Sequence, residues 1–263
     1  MSIVFKHSCN AGDLIASLAG IKQVCENLNQ RAIILQQLHR PGNYYEGAVH
    51  PVTHEGEMVC MNQQIFDMIK PLVLSQPYVD SFEVFTDQKI TVDLDVIRDQ
   101  CFVNMPNGMI QSWVMLAFPD MACDLSKPWI KAKKDNAAAG KGVLNYTERY
   151  RSKFMNYSFL KKYENDLVFT GTEKEHRLFC GLWDLNLPYL QVNDFLDLAQ
   201  CLRGAKFVAG NQSMVWNLAN AMGVPRILEM CHYAPNCQPF VGEDNFGYYH
   251  QGAAEYYFER LMK

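Results

Sequence analysis

The residues best suited to chemistry form small polar clusters that directly follow short apolar runs. The clearest is Gly210-Asn211-Gln212-Ser213, which lies between an apolar run and the apolar segment Met214–Met222. A turn of this kind before a helix presents backbone N–H groups and the positive end of the helix dipole, which suit phosphate. The alternative is that Asn211 or Ser213 only caps the helix.

A second cluster carries two cations. Thr147, Arg149 and Arg151 follow the apolar run 143–146. Guanidinium groups bind phosphate oxygens through two parallel hydrogen bonds, and a neighbouring hydroxyl adds another donor. A solvated loop has a similar composition, so both interpretations stay open.

A third cluster is Gly171-Thr172-Glu173-Lys174-Glu175, which follows the run 166–170. A carboxylate just past the strand-end residue Gly171 can accept hydrogen bonds from ribose hydroxyls. Glu173 and Glu175 are therefore candidate ribose ligands. Acidic residues are equally typical of the first turn of a helix, which is the structural alternative.

The fourth candidate is Asp13, preceded by Gly12 in the loop after the first predicted strand, Ser2–Lys6. Gly12 would let the backbone approach a ligand closely. At the start of a helix, Asp13 would be held ionised by the helix dipole and could accept a proton from a substrate hydroxyl. A purely structural first-turn aspartate is the alternative.

Alternating strands and helices must position these clusters. The hydrophobic spacing predicts the strand–helix–strand units 2–6, 13–29 and 31–38, and 206–209, 214–222 and 226–230, with a further strand at Tyr189–Val192. Such units form parallel sheets, and the carboxyl ends of parallel strands are where α/β proteins bind ligands. The clusters after residues 146, 170 and 209 should therefore converge on one sheet edge.

The composition changes abruptly at residues 124–142, which contain a basic run and the segment Asn136–Gly142. This change predicts a domain boundary. We predict an N-terminal Rossmann-like domain over 1–125, a linker over 126–142 and a C-terminal Rossmann-like domain over 143–263.

The chain has 263 residues, of which 49% are hydrophobic and 20% charged, with a net charge of −4 and a pI near 6.0. These values are typical of a globular protein and make a general nucleic-acid or membrane-surface binder unlikely. The nine cysteines form no CxxC pair or common zinc pattern, which indicates reduced thiols and no metal site. With no apolar run long enough for a membrane span and no targeting signal, we expect a cytoplasmic protein without stable membrane insertion.

With these residues in view, the sequence resembles the GT-B glycosyltransferases of the heptosyltransferase type, which transfer sugars in lipopolysaccharide synthesis. Gly12-Asp13-Leu14 is similar to the opening motif of that family, and 169–173 is similar to its strand–Gly–Glu turn. Residues 145–151 lie where its second domain opens. The most specific likeness is 205–227, which resembles the family's strand, polar turn, helix and Gly-Val-Pro ending.

The resemblance implies two Rossmann-like domains facing across a cleft, with a reduced N-terminal domain that binds the acceptor. The C-terminal domain would bind a nucleotide-diphosphate sugar. Transfer would need no cofactor or metal and would invert the anomeric centre. Asp13 matches the family's catalytic base. Arg149, Arg151 and the turn 210–213 would stabilise the departing diphosphate, and Glu173 or Glu175 would hold the ribose.

The sequence departs from the family pattern within its most specific segment. Gln212 stands where the family usually has Asp, Asn217 replaces the usual His, and Met214 and Val215 replace Gly-Pro. These departures motivate a second hypothesis, a non-catalytic module that binds sugar nucleotides or glycans. A third hypothesis is a glycosyltransferase that acts on modified nucleic-acid bases. The sugar, the glycan or glycolipid acceptor and the oligomeric state are left open.

Overall fold

The computed structural model describes residues 2–42, 50–96, 117–118, 121–232, 237–239 and 242–263. The chain divides into two compact units. The first contains Met1–Leu125, Trp129–Lys131 and Asp194–Leu196, and the second contains Ser126–Pro128, Ala132–Asn193 and Asp197–Lys263. Each unit is built on a parallel sheet with helices in its connections, which confirms the predicted α/β class.

The first unit has a four-stranded sheet in the order β3-β2-β1-β4, and all its pairs are parallel. Its elements are β1 Ser2–His7, α1 Ala11–Leu28, β2 Arg31–Gln36, α2 Gln63–Leu74, β3 Val79–Val84 and β4 Val92–Asp93. Helix α1 buries apolar side chains on almost every side, among them Leu14, Ile15 and Leu18. It ends at the C-cap residue Asn29, which adopts a left-handed conformation with φ 48°.

The second unit has a five-stranded parallel sheet in the order β6-β5-β7-β8-β9. Its elements are β5 Gly142–Asn145, a 3-10 helix Ser158–Asp166, β6 Leu167–Phe169, α3 Glu173–Trp183, α4 Phe195–Gly204, β7 Phe207–Gly210, α5 Met214–Met222, β8 Arg226–Glu229, β9 Asn245–Tyr248 and α6 Gln251–Met262. Every residue of β5 to β8 is buried, as expected for a parallel sheet covered on both faces.

The strand–helix–strand segment β7, α5 and β8 closely follows the prediction from the sequence. Helix α5 begins after the N-cap residue Ser213, whose hydroxyl accepts from the Trp216 N–H, and it ends at Gly223 with φ 67°. The strand predicted at Tyr189–Val192 was wrong. Only Tyr189 forms a bridge, to Phe169, because the chain leaves the sheet edge after Leu190 donates its N–H to Phe169 at 2.7 Å.

Part of the segment predicted as a linker packs into the first unit. Trp129 and Ile130 are buried, and the Trp129 indole N–H donates to the Ile15 carbonyl at 2.8 Å. The Tyr78 hydroxyl donates to the Trp129 carbonyl at 2.9 Å. That the N-terminal domain binds the acceptor and the C-terminal domain binds the donor stays a prediction.

Close backbone contact at the ends of β5 and β7 demands a glycine. A Cβ on Gly210 would lie 2.1 Å from the carbonyl oxygen of Asn145, its partner in the sheet. Gly181, inside α3, differs completely, because a Cβ there would meet nothing within 4 Å. We therefore expect Gly210→Ala to lower the free energy of unfolding by about 1–3 kcal/mol or to prevent folding.

The matched control, Gly181→Ala, should raise the free energy of unfolding by about 0.5–1 kcal/mol, because alanine is favoured over glycine inside a helix. Urea denaturation of both variants measures the difference. Equal stability of the two variants would contradict the close packing of β5 against β7.

Candidate functional site

The candidate site of the second unit is organised around Asn145, the last residue of β5. Its amide Nδ2 donates to the Thr170 carbonyl at 2.8 Å on the β6 side. A Cβ on Gly171 would lie 2.7 Å from that Nδ2, and Gly171 also has a φ of 136°, which favours glycine. Asn145 is buried, and its Oδ1 has no hydrogen-bond partner in the described part of the chain. The sequence interpretation assigned it no role, although a polar residue that ends a buried strand was a usable signal.

Asn211 attaches the loop after β5 to the end of β7. Its buried Oδ1 accepts from the Thr147 backbone N–H at 3.0 Å, and its Nδ2 donates to the carbonyls of Thr147 at 2.9 Å and Arg149 at 2.6 Å. The Thr147 hydroxyl also donates to the Arg149 carbonyl at 3.0 Å. The structure thus brings Thr147, Arg149 and Asn211 together. Asn211 acts as a buried brace, because its side chain is used by the loop backbone.

The two predicted phosphate-binding cations lie on this braced loop. The guanidinium of Arg149 lies 4.7 Å from the ring centre of Tyr150, and that of Arg151 lies 5.8 Å from the ring centre of Phe179. Both arginines are half-buried, and neither forms an ion pair with a carboxylate of the described residues. Two cations stacked on aromatic rings, without carboxylate partners, are suited to bind an anion.

The two predicted ribose ligands have different surroundings. Glu175 is buried, and its carboxylate accepts from the Thr172 backbone N–H at 3.0 Å and hydroxyl at 2.8 Å, while the Glu175 N–H donates to that hydroxyl oxygen at 3.2 Å. This is a capping box that starts α3. Glu173 is exposed, and its ion pair among the described residues is with Arg177, one helical turn later, at 3.3 Å. Glu175 therefore has the structural role, and Glu173 is the carboxylate that is open to a ligand.

The remaining residues of the predicted phosphate turn are buried and connected to the fold. Ser213 caps α5 as described above. The Gln212 Oε1 accepts from the Cys231 backbone N–H at 3.1 Å, just after β8. Both residues help to fix the turn at the N-terminus of α5, whose dipole is the predicted source of anion affinity.

A buried network that the sequence interpretation missed fixes the far end of the loop. The Glu229 carboxylate, at the end of β8, accepts from the Tyr157 hydroxyl at 2.6 Å and from the Ser152 backbone N–H. Tyr157 also contacts the hydroxyl of Tyr248, which lies 3.0 Å from that of Tyr146. The loop that carries the arginines is therefore held at one end by Asn211 and at the other by Glu229.

Burial decides the ionisation of this network. Burial raises the pKa of Glu229, although hydrogen bonds from Tyr157 and Ser152 and the charge of Arg151 act in the opposite direction. Burial likewise raises the pKa of Tyr157 and Tyr248 well above 10.0, so both stay hydroxyl donors at neutral pH. Glu229 is thus the carboxylate of the network, and burial raises its pKa above 4.5.

In the first unit, Asp13 is buried in the first turn of α1. Its Oδ2 accepts from the Asn10 backbone N–H at 3.3 Å, and Oδ1 has no partner among the described residues. Gly12 was predicted to lie in the preceding loop, and this was wrong: α1 begins at Ala11, so Gly12 is part of its first turn. The helix starts early because Asn10 and Asp13 form the capping pair.

A polar cluster surrounds the end of β1 beside this helix start. Asp95 accepts from the Ser8 hydroxyl at 2.6 Å and from the Lys6 ammonium at 2.9 Å, and Arg40 donates to Ser8 at 2.7 Å. Burial raises the pKa of Asp95, but the hydrogen bonds from Ser8 and Lys6 outweigh burial and leave the pKa below its ordinary value. Asp95 is thus an ionised anchor for the loop that precedes α1.

The described residues contain no group of three or more His, Cys, Asp or Glu side chains placed to hold a metal ion. None of the helices that the structure describes is both long enough and apolar enough to cross a membrane.

Known structures share this fold over nearly the whole chain. E. coli heptosyltransferase WaaC, solved with ADP, matches 99% of this chain and 100% of its own with a TM-score of 0.66 at 9% identity. E. coli ADP-heptose lipopolysaccharide heptosyltransferase II matches 100% of this chain and 98% of its own, with a TM-score of 0.60 at 13% identity. A glycosyl transferase family 9 structure from Veillonella parvula matches 99% of this chain and 88% of its own, with a TM-score of 0.59 at 9% identity.

No protein-family model matches the sequence, and a search of curated proteins with the sequence found no match. The structural similarities confirm the predicted likeness to heptosyltransferases at the level of the fold, together with the predicted GT-B type of α/β fold. At these identities the fold is what is shared, so the roles of individual residues stay predictions.

The brace formed by Asn211 can be tested on the loop itself. Asn211→Ala would remove the amide that donates to the part-buried carbonyls of Thr147 and Arg149 and accepts from the Thr147 N–H, at a cost of about 1–3 kcal/mol. We expect amide hydrogen exchange over residues 146–152 to become at least roughly tenfold faster. The control is Asn165→Ala, which removes an exposed asparagine and should change nothing there. Unchanged exchange in the Asn211 variant would contradict the brace.

The Glu229 network predicts a pH-dependent stability. Because the pKa of Glu229 is raised in the folded state, its contribution to stability is lost as pH rises from its ordinary value of 4.5 through the folded-state pKa. Glu229→Gln lacks this pH-dependent contribution, because its amide does not titrate. We therefore expect the free energy of unfolding of the variant, minus that of the unmodified protein, to increase with pH over this window. Urea titrations at several pH values measure it, and a pH-independent difference would contradict the raised pKa.

Proposed function

We propose that this protein is a glycosyltransferase that moves a sugar from a nucleotide-diphosphate sugar to a glycan or glycolipid acceptor. The observation that carries the proposal is the braced loop of the second unit. It holds Arg149 and Arg151, neither of which forms an ion pair with a carboxylate of the described residues, and its backbone is fixed by the side chain of Asn211, the residue after β7. Asn211 itself opens the turn before α5. Two fixed cations beside a helix N-terminus form a suitable environment for a diphosphate.

The similar structures support a sugar nucleotide as the ligand. WaaC was solved with ADP and with ADP-2-deoxy-2-fluoro heptose, and another of the similar proteins is described as an ADP-heptose heptosyltransferase. ADP-sugars are therefore the first donor class to test on this chain.

We assign the contacts with the donor sugar nucleotide to side chains that structural hydrogen bonds do not occupy. Arg149 and Arg151 would bind the diphosphate and stabilise its charge as the sugar leaves, so that the reaction needs no metal. Glu173 would accept from the ribose hydroxyls, because Glu175 is used by Thr172 in the helix cap. The turn that contains Gln212 would add the dipole of α5.

We assign the base to Asp13. Its Oδ2 is oriented by the Asn10 N–H, which leaves Oδ1 to accept the proton of the acceptor hydroxyl as that oxygen attacks the anomeric carbon. Attack opposite to the leaving diphosphate would invert the configuration at that carbon.

A non-catalytic sugar-nucleotide module is the second candidate, and the position of Gln212 favours it. Gln212 replaces the family's usual Asp, and its amide oxygen is used by Cys231. A protein that binds a sugar nucleotide but turns over none, with any acceptor, would fit this candidate.

Catalysis decides between the candidates. Purified protein is incubated with a panel of nucleotide sugars and glycan or glycolipid acceptors, and nucleotide release is followed. We expect release that depends on an acceptor. Asp13→Asn should lower kcat by roughly 100-fold or more while donor affinity persists, because the base is lost and the donor contacts remain.

The control Asp87→Asn removes an exposed carboxylate of the first unit and should leave kcat unchanged. Arg149→Ala should instead weaken nucleotide binding about tenfold or more, the usual cost of losing a charge-assisted hydrogen bond. Turnover that is unaffected in Asp13→Asn would remove Asp13 as the base. If no combination of acceptor and nucleotide sugar in the panel gave turnover, the proposed transferase activity would be contradicted.

A further inference from the structure

An arginine is completely buried at the start of β8. Arg226 has no exposed surface, and its Nε donates to the Asn220 Oδ1 at 2.8 Å while Nη1 donates to the Val224 carbonyl at 2.9 Å. Among the described residues no carboxylate pairs with it. A buried cation without a counter-charge is costly in a protein interior, so this side chain requires an explanation.

Three hydrogen-bond donors around this guanidinium lack an acceptor. They are Arg226 Nη2, Asn220 Nδ2 and Trp216 Nε1, and each is buried without a partner in the part of the chain that the structure describes. Trp216 and Asn220 are four residues apart in α5, so they lie on one face of that helix. The guanidinium lies 5.9 Å from the Trp216 ring centre. The three residues that carry these unpaired donors therefore form one buried cluster.

The hydrogen bond from Nε directs the neighbouring Nη2 toward the Asn220 amide. In arginine, Nε–H and the nearer Nη2–H point to the same side as a fork. Asn220 Oδ1 takes the Nε–H, so Nη2 faces the region beside the same amide, where Asn220 Nδ2 is the other polar atom. Neither Nη2, Nδ2 nor an indole N–H can accept a hydrogen bond, so these groups cannot satisfy one another.

Both charge and size restrict what could satisfy this cluster. Burial lowers the pKa of Arg226 to about 9, which still leaves it protonated at neutral pH. The occupant should therefore be an anion. Because all three residues are fully buried, the occupant should also be small.

We propose that Arg226, Asn220 and Trp216 form an internal binding site for a halide ion, which in the cell would be chloride. The ion would accept hydrogen bonds from Nη2 and Nδ2 and from the indole N–H, and would neutralise the guanidinium. It would tie α5 to β8. This site shares no residue with the proposed transferase site, although Trp216 lies in the first turn of α5, directly after the turn 210–213.

Stability in different sodium salts tests the proposal. Thermal and urea unfolding are measured in sodium chloride and sodium bromide, with ionic strength held constant by sodium gluconate, whose anion is too large for the site. We expect chloride and bromide to stabilise the protein in a saturable way. At about ten times the dissociation constant, the unfolded fraction should be roughly tenfold smaller than in gluconate alone. A crystal grown in bromide should show an anomalous peak between Arg226 and Asn220.

Asn220→Asp is the decisive variant. It has nearly the same shape, and its carboxylate would pair with both Nε and Nη2, so the protein should become independent of halide and more stable in gluconate. The matched control Asn165→Asp adds the same charge at an exposed position and should keep the halide dependence. Trp216→Phe keeps the ring but removes the indole N–H, and should weaken halide binding without abolishing folding.

Identical stability in chloride and gluconate, or a bromide crystal that shows only a water molecule at the cluster, would overturn the proposal. A halide effect of equal size in Asn220→Asp would also overturn it, because that effect would arise elsewhere on the protein.

Discussion

The buried amide of Asn211 is the contact on which the candidate donor site depends. The loop after β5 must reverse direction at the edge of the sheet, and its backbone polar groups there need partners. Asn211 supplies them for Thr147 and Arg149, from a position at the end of the neighbouring strand. The site of the arginines is therefore set by the packing of β7 beside β5, which in turn requires a glycine at position 210.

Strand β8 contains a buried charge at each end, and the fold treats the two differently. Glu229, at the carboxyl end, is surrounded by donors: the Tyr157 hydroxyl and the Ser152 N–H reach its two oxygens. Arg226, at the amino end, is bordered by further donors that have no acceptor. The hydrogen bonds of Glu229 form a closed network that fixes a loop. The donors around Arg226 lack acceptors within the described part of the chain, which is why we propose that an anion binds there.

The sequence predicted the elements well where local signals agree. Around α5, hydrophobic periodicity, the serine cap and the Gly-Val-Pro ending all indicate the same boundaries, and the structure has them. The strand at 189–192 was wrong because β-propensity does not show how far a segment stays beside a sheet edge, and here Tyr189 alone bridges to Phe169. For Glu173 and Glu175, the spacing Thr172-x-x-Glu175 is that of a capping box and could have assigned the cap to Glu175, but the prediction did not use it. The network of Glu229, Tyr157 and Tyr248 joins residues about 70 to 90 positions apart, and no local pattern reveals such a contact.

We propose that the carboxyl edge of the second sheet binds a nucleotide diphosphate. The most direct measurement is a crystal structure of the protein grown with ADP. We expect difference density for the diphosphate against Arg149, Arg151 and the turn that begins at Asn211, with the ribose near Glu173. Density for ADP elsewhere on the chain, or none at a concentration of ADP that saturates binding in solution, would contradict it.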